Sequence, residues 1–286
     1  MARGKLLTLL TGGAFFEGPR WHDGRWWVSD FYRRVVLALD QDGRSDEVLR
    51  VDGRPSGLGW LPDGSLLVVS MRDRRVLRRS PDGDVAVHAD LAEHCGGHAN
   101  DMVVAADGGA YVGNFGFDLA ARARPEPTVL LRVETDGSVA VAADDLLFPN
   151  GAVITADGRT LVVAETYAAR LTAFTIDVDG SLSGRRVWAE LERPFAPDGC
   201  TLDAEGRIWV CDAVAARCRL LEEGGHVVDE IAAPEGLRFF ACMLGGHDGP
   251  TLLICGAPDY DERKRASALE AVLLTSRVTA PHAGLP

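Results

Sequence analysis

Five polar residues recur at one point of a repeating pattern: Glu17, Ser56, Asn100, Asn150 and Asp198. Each lies seven or eight positions before the glycine of an Asp-Gly or Glu-Gly pair, respectively Gly24, Gly64, Gly108, Gly158 and Gly206. Side chains that share a register in a repeat share a height in the fold. Convergence would bring the carboxylates of Glu17 and Asp198 close together, and such a pair repels unless a cation joins it. Carboxylate and amide oxygens suit hard cations. Ca2+ is the first expectation, with Mg2+ and Mn2+ open, and Zn2+ less so because it usually recruits His or Cys. Glu17, Asn150 and Asp198 are the expected metal ligands, since two charges balance one divalent ion, and Asn100 is a further donor. The alternative is structural: Asn, Asp and Ser at strand starts can simply bond turn amides.

The elements that must position these residues are short strands. Gly24, Gly64, Gly108, Gly158, Gly206 and Gly249 fall 40 to 50 residues apart. Each precedes an apolar run: RWWVSD, SLLVVS, GAYVGN, RTLVVAE, RIWVCD and PTLLICG. Asp-Gly between apolar runs is a strong hairpin signal, because glycine accepts the positive φ of a tight turn. A second series, Gly43, Gly83, Gly137, Gly180 and Gly224-Gly225, marks a second hairpin inside each unit. Six units of about four strands predict an all-β fold, a six-bladed β-propeller formed as a single domain over residues 1–286. The first strand of each blade lines the central channel, so the five polar residues should meet at one end of it. The second strands end nearby on Asp30, Ser70, Asn114, Glu165 and Asp212, which either orient the ligands or are solvated. The sixth unit lacks a fourth strand, and the N-terminal LLTLL run is expected to supply it. Ala266 to Ala271 reads as strand, with the start of a short helix as the alternative.

Composition narrows the partners. The chain has 286 residues, 32 Gly, 14 Pro, 47% hydrophobic residues and a net charge of -12. It is too apolar for a disordered chain. Its acidic balance argues against nucleic acid and against an anionic membrane surface. No run approaches the roughly 20 apolar residues of a membrane helix. The Leu6–Leu10 run is too short for a signal-peptide core. Six cysteines, none in a CxxC pair, read as buried free thiols and point to a cytoplasmic setting.

The segments FEGPRW, HANDM, FPNG and APDGCTLDAEGRIWVCD resemble the gluconolactonase/regucalcin (senescence marker protein) family over nearly the whole chain. The resemblance implies one divalent metal in the channel, held by Glu17, Asn150 and Asp198, and a substrate-facing Asn at Asn100 with Asp101 beside it. It implies a small-molecule lactone as substrate and ring-opening hydrolysis as the reaction. The cation would polarise the lactone carbonyl while Asp198 or Asp101 accepts a proton from the attacking water. Where sugar-lactone members often carry Arg, this chain has His98, either a substrate contact or a loop residue. Phe115 and Phe117 open an insertion, residues 115–127, that reads either as a lid over a less polar substrate or as surface loop. The charged stretch Pro258 to Arg265 reads as solvated surface. There is no GxSxG elbow, no HExxH and no phosphate loop. His94, Cys95 and His98 read as a glycine-rich loop before a zinc or thiol site. Two other classes stay open: a non-hydrolytic propeller enzyme of the strictosidine-synthase or cyclase kind, and a non-catalytic metal-binding propeller.

Overall fold

The computed structural model describes residues 4–286. Its strands form six four-stranded antiparallel sheets arranged as the blades of a propeller. An N-terminal strand, β1 (Leu7–Gly13), comes first. Blade one is β2 (Phe16–His22), β3 (Arg25–Asp30), β4 (Val35–Leu39) and β5 (Ser45–Arg50). Blade two is β6 (Pro55–Trp60), β7 (Leu66–Ser70), β8 (Arg75–Arg79) and β9 (Val85–Asp90). Blade three is β10 (Ala99–Val104), β11 (Ala110–Asn114), β12 (Thr128–Val133) and β13 (Val139–Leu146). Blade four is β14 (Pro149–Ile154), β15 (Thr160–Glu165), β16 (Arg170–Ile176) and β17 (Leu182–Glu190). Blade five is β18 (Pro197–Leu202), β19 (Ile208–Asp212), β20 (Arg217–Leu221) and β21 (Val227–Ala232). The last blade is β22 (Arg238–Gly245), β23 (Thr251–Ala257) and, after the short helix α1 (Glu262–Ala268), β24 (Ala271–Arg277).

The hairpins fall where the glycines placed them. Gly24, Gly64, Gly108, Gly158 and Gly206 all have positive φ, as do Gly43, Gly83, Gly137, Gly180, Gly224 and Gly225. The first series joins strands one and two of a blade and the second joins strands three and four. β1 is the missing outer strand of blade six: it pairs antiparallel with β24, Leu10 opposite Leu273. Two expectations need correction. Residues 266–268 are helical, not strand, because the charged ERKRASA segment buries nothing and Asp261 caps it. Nor is the 258–265 stretch simply solvated, since it carries ion pairs described below.

Burial follows position in the blade. The inner strands β10, β14 and β18 are buried throughout. The outer strand β5 is exposed or half-buried along its length. Apolar side chains of neighbouring blades meet between the sheets. One such cluster joins Val153, Val162 and Leu171 of blade four to Leu202, Ile208 and Val210 of blade five. Water is thereby excluded between the blades, which fixes the inner strands around the channel.

Candidate active site

Every inner strand carries a β-bulge at its channel end. In blade three Ala99 opposes Asn114 and the next pair is Met102 with Val112, so Asn100 and Asp101 face Gly113 together. The same shift lies between Pro55 and Leu58, Pro149 and Ala152, and Pro197 and Cys200. Blade one shifts between Glu17 and Arg20. A bulge bends its strand and re-aims side chains. It therefore falls on the register residues Ser56, Asn100, Asn150 and Asp198 and directly after Glu17. The glycine that follows most of them is required by close packing: a Cβ at Gly151 would lie 2.7 Å from the Asp198 carbonyl oxygen. Blade six shifts between Phe239 and Ala241, and a Cβ at Gly199 would meet Ala241. Phe240 is thus the sixth member of the ring, which the sequence pattern did not single out.

The ring residues are buried: Glu17 at 9% exposed, Ser56 2%, Asn100 5%, Asn150 8% and Asp198 8%. Burial pushes the Glu17 carboxyl well above its usual range, reinforced by the charges of Asp198 and Asp101; the Gly18 amide and Arg20 oppose this. Burial and the charge of Asp101 push Asp198 up likewise, against the Asn150 side chain and the Gly199 amide. Two carboxylates are thus held together under mutual repulsion. Asn150 Nδ2 donates to Thr166 Oγ1 at 3.1 Å, and Thr166 Oγ1 donates to the Pro197 carbonyl at 2.7 Å. That chain leaves Asn150 Oδ1 as its free acceptor. Asn100 Nδ2 is buried without a hydrogen-bond partner, a donor left unmet by the chain.

Asp101 stands where most blades have glycine. Its Oδ1 accepts from Arg20 Nη2 at 2.7 Å and from the Met102 amide at 2.8 Å. Arg20, itself 3% exposed, also reaches the Leu58 and Met102 carbonyls at 2.9 and 2.6 Å. Arg20 lies within the FEGPRW segment, outside the register of the ring residues.

The second-strand ends are buried, and their hydrogen bonds go elsewhere than to the ring side chains. Asp30 accepts the amides of Ala14 and Phe15 at 2.9 and 3.1 Å. Glu165 accepts the Leu147 amide at 2.9 Å, and Asp212 the Ala196 amide at 3.2 Å. These carboxylates brace the loops that lead into the ring and so act through the backbone.

Above the ring, blades three and four carry an aromatic wall. Phe115 stacks on Phe148 with centroids 4.4 Å apart, and Phe117 meets Tyr167 edge-on at 5.3 Å. His98 lies 5.7 Å from Phe115, centroid to centroid. Burial and the charges of Arg54 and Arg72 lower the His98 pKa, so it is neutral near pH 7. A cavity of about 180 Å³ opens here, lined by Arg72, Arg74, His98, Phe115, Phe117 and Asp118. The rest of the insertion, residues 118–127, is largely exposed.

All six cysteines are buried and free. Burial raises the Cys95 thiol to about 11, which removes it as a nucleophile. The sulfurs of Cys211, Cys218 and Cys242 lie within 4.8 Å of one another, packed between blades five and six. Among the described residues no helix is long and apolar enough to cross a membrane.

Known proteins bear on this site. Residues 15–257 match the family described as SMP-30/Gluconolactonase/LRE-like region. A pentonolactonase from Haloferax volcanii is 30% identical over 254 residues, 86% of this chain and 78% of the relative. A 6-deoxy-6-sulfogluconolactonase from Pseudomonas putida is 27% identical over 161 residues, 55% of each chain. The solved structure of a gluconolactonase from Xanthomonas campestris superposes with TM-score 0.76 at 25% identity, covering 99% of this chain and 90% of that one. The buried polar ring lies inside the matched region, and the chain belongs to the SMP-30/gluconolactonase/LRE-like family.

Proposed function

We propose that this protein is a lactonase that opens a lactone ring by hydrolysis at the channel ring. The observation that carries this reading is the buried, uncompensated pair Glu17 and Asp198 beside the unmet amide of Asn100. Relatives named pentonolactonase and 6-deoxy-6-sulfogluconolactonase support it. The oxygen donors of Glu17, Asn150 and Asp198 fit a hard divalent cation, Ca2+ first, because two ionised carboxylates and an amide oxygen match both its charge and its ligand preference. When bound, the cation supplies Lewis-acid polarisation of the lactone carbonyl.

The chain's own residues do the rest. Asn100 Nδ2 donates a hydrogen bond to the substrate oxygen and orients the ring. Asp198 accepts a proton from the attacking water. The water oxygen bonds to the carbonyl carbon, the ring C–O bond breaks, and the proton passes to the departing oxygen to leave a hydroxy acid. Asp101 is the other candidate acceptor, through Oδ2, since its Oδ1 is taken up by Arg20 and Met102. Phe115 and Phe117, with Phe148, exclude water from one side and favour a substrate with an apolar face. His98, as a neutral ring, offers a hydrogen bond to substrate. We also place the whole activity in one propeller domain.

A panel of γ- and δ-lactones assayed with and without chelator tests this reading. Hydrolysis that chelator removes and Ca2+ restores is expected, together with its loss in Asp198→Asn. In Asp101→Asn, full turnover would clear Asp101 of the proton-accepting role. Cation binding without turnover of any lactone would favour a binding module instead.

A further inference from the structure

The bulge register defines a second tier above the ring. Two positions before each ring residue stand Phe15, Arg54, His98, Phe148 and Ala196, with Arg238 in blade six. Arg54 is 7% exposed. Its guanidinium lies 5.2 Å from the centroid of the Tyr32 ring, with Nη2 buried. Its counter-charge is Glu262, with which it forms an ion pair. Arg72 approaches the same carboxylate at 3.3 Å. Two arginines therefore share one carboxylate, with Asp118, Asp259 and Asp261 as the other acidic groups nearby.

Glu262 is held differently from the arginines. It is the first residue of α1, which has no buried residue, and its side chain is 42% exposed. Moving it away disrupts no core packing. Arg54 cannot follow it, because its backbone is fixed by bonds to Val51 and Met71. A buried guanidinium beside a removable carboxylate suits exchange of one carboxylate for another, since its fork binds two oxygens at once.

We propose that Arg54 and Arg72 form a subsite for a carboxylate carried by the substrate, and that Glu262 occupies it when substrate is absent. The substrate class is then a lactone bearing a carboxylate. Its anionic end is drawn to the arginines, which turns the lactone carbonyl toward the ring. The substrate class rests on the lactonase reading; the subsite does not.

Two measurements test this. First, tetrahydrofuran-2-carboxylate and its neutral carboxamide are titrated by NMR against the intact protein. The carboxylate is expected to bind at least tenfold more tightly than the amide, Arg54→Gln to abolish that preference, and Glu262→Gln to tighten carboxylate binding severalfold. Equal binding of the two probes, a preference that survives Arg54→Gln, or weaker carboxylate binding in Glu262→Gln overturns the subsite. Second, 5-oxotetrahydrofuran-2-carboxylate and its amide are compared as substrates. Arg54→Gln is expected to raise KM for the carboxylate at least ten times more than for the amide. Equal effects on both overturn the substrate class. If neither lactone is opened while the NMR preference holds, the lactonase reading fails and the carboxylate subsite stands.

Discussion

Two buried carboxylates one blade apart, Glu165 in blade four and Asp198 in blade five, are held in opposite ways. Glu165 is fully buried and accepts from Arg170 Nε at 2.7 Å, Thr172 Oγ1 at 2.5 Å and the Leu147 amide at 2.9 Å. Its charge is met from within the chain. Asp198 lies at the channel with the charges of Asp101 and Asp212 near it, and burial raises its pKa. Only the Asn150 side chain and the Gly199 amide stabilise its charge, and among the described residues no arginine or lysine pairs with it. A compensated buried carboxylate holds loops and strands together; an uncompensated one costs stability and is where a ligand gains most.

That contrast is broken or sharpened by three measurements. The largest effect belongs to Asp198→Ala, expected to lower lactone turnover by about 10²–10⁴-fold and to abolish divalent cation binding in calorimetry. Without cation its melting temperature should rise, because a repelling charge is gone. Retained cation-dependent turnover would remove Asp198 from the site, and a lower melting temperature would make it a structural residue like Glu165.

Glu165→Gln should do the reverse. Denaturant titration is expected to show a loss of about 3 kcal/mol, the lower end for breaking a buried pair because Arg170 can reach water. Cation affinity should stay within about twofold of the parent. A stability change within about 0.5 kcal/mol would show that the Arg170 pair contributes nothing.

The smallest effect is in the pH dependence. Glu17 and Asp198 have folded-state pKa values raised above their ordinary values of 4.5 and 3.8. Their contribution to stability is therefore fully present below the ordinary carboxylate range and is lost as pH rises through the raised values. A cation that binds the ionised pair offsets that loss. The gap in melting temperature between Ca2+-loaded and chelator-treated protein should widen by a few degrees from about pH 5 to pH 8. A gap independent of pH would mean that these carboxylates do not hold the cation.

What the sequence disclosed depended on local rules. The hairpin glycines were legible because a tight turn demands positive φ, and five ring residues were legible because they stand seven or eight positions before those glycines. Phe240 broke the rule. It stands nine positions before Gly249 on the longer strand β22, and it is apolar. Gly151 and Gly199 follow ring residues because neighbouring inner strands pack too closely there for a Cβ. The ring's bulges are a property of strand pairing and leave no mark in one strand's sequence. The pairing of Arg54 with Glu262 joins residues far apart in the chain and also escaped detection. Helix α1 was misjudged because Ala266–Ala268 is followed closely by a true strand and lies too near it for period alone to separate them.

The closing sheet has a consequence for synthesis. β1 is made about 260 residues before β24, the strand it pairs with. Translation at roughly 5–20 residues per second leaves β1 without that partner for about 13–50 seconds. Until then Leu10 and its neighbours form an open edge on a ribosome-bound chain, and the ring of channel residues cannot close. A tract of slow codons late in the message would lengthen that exposure, with no change in the finished protein.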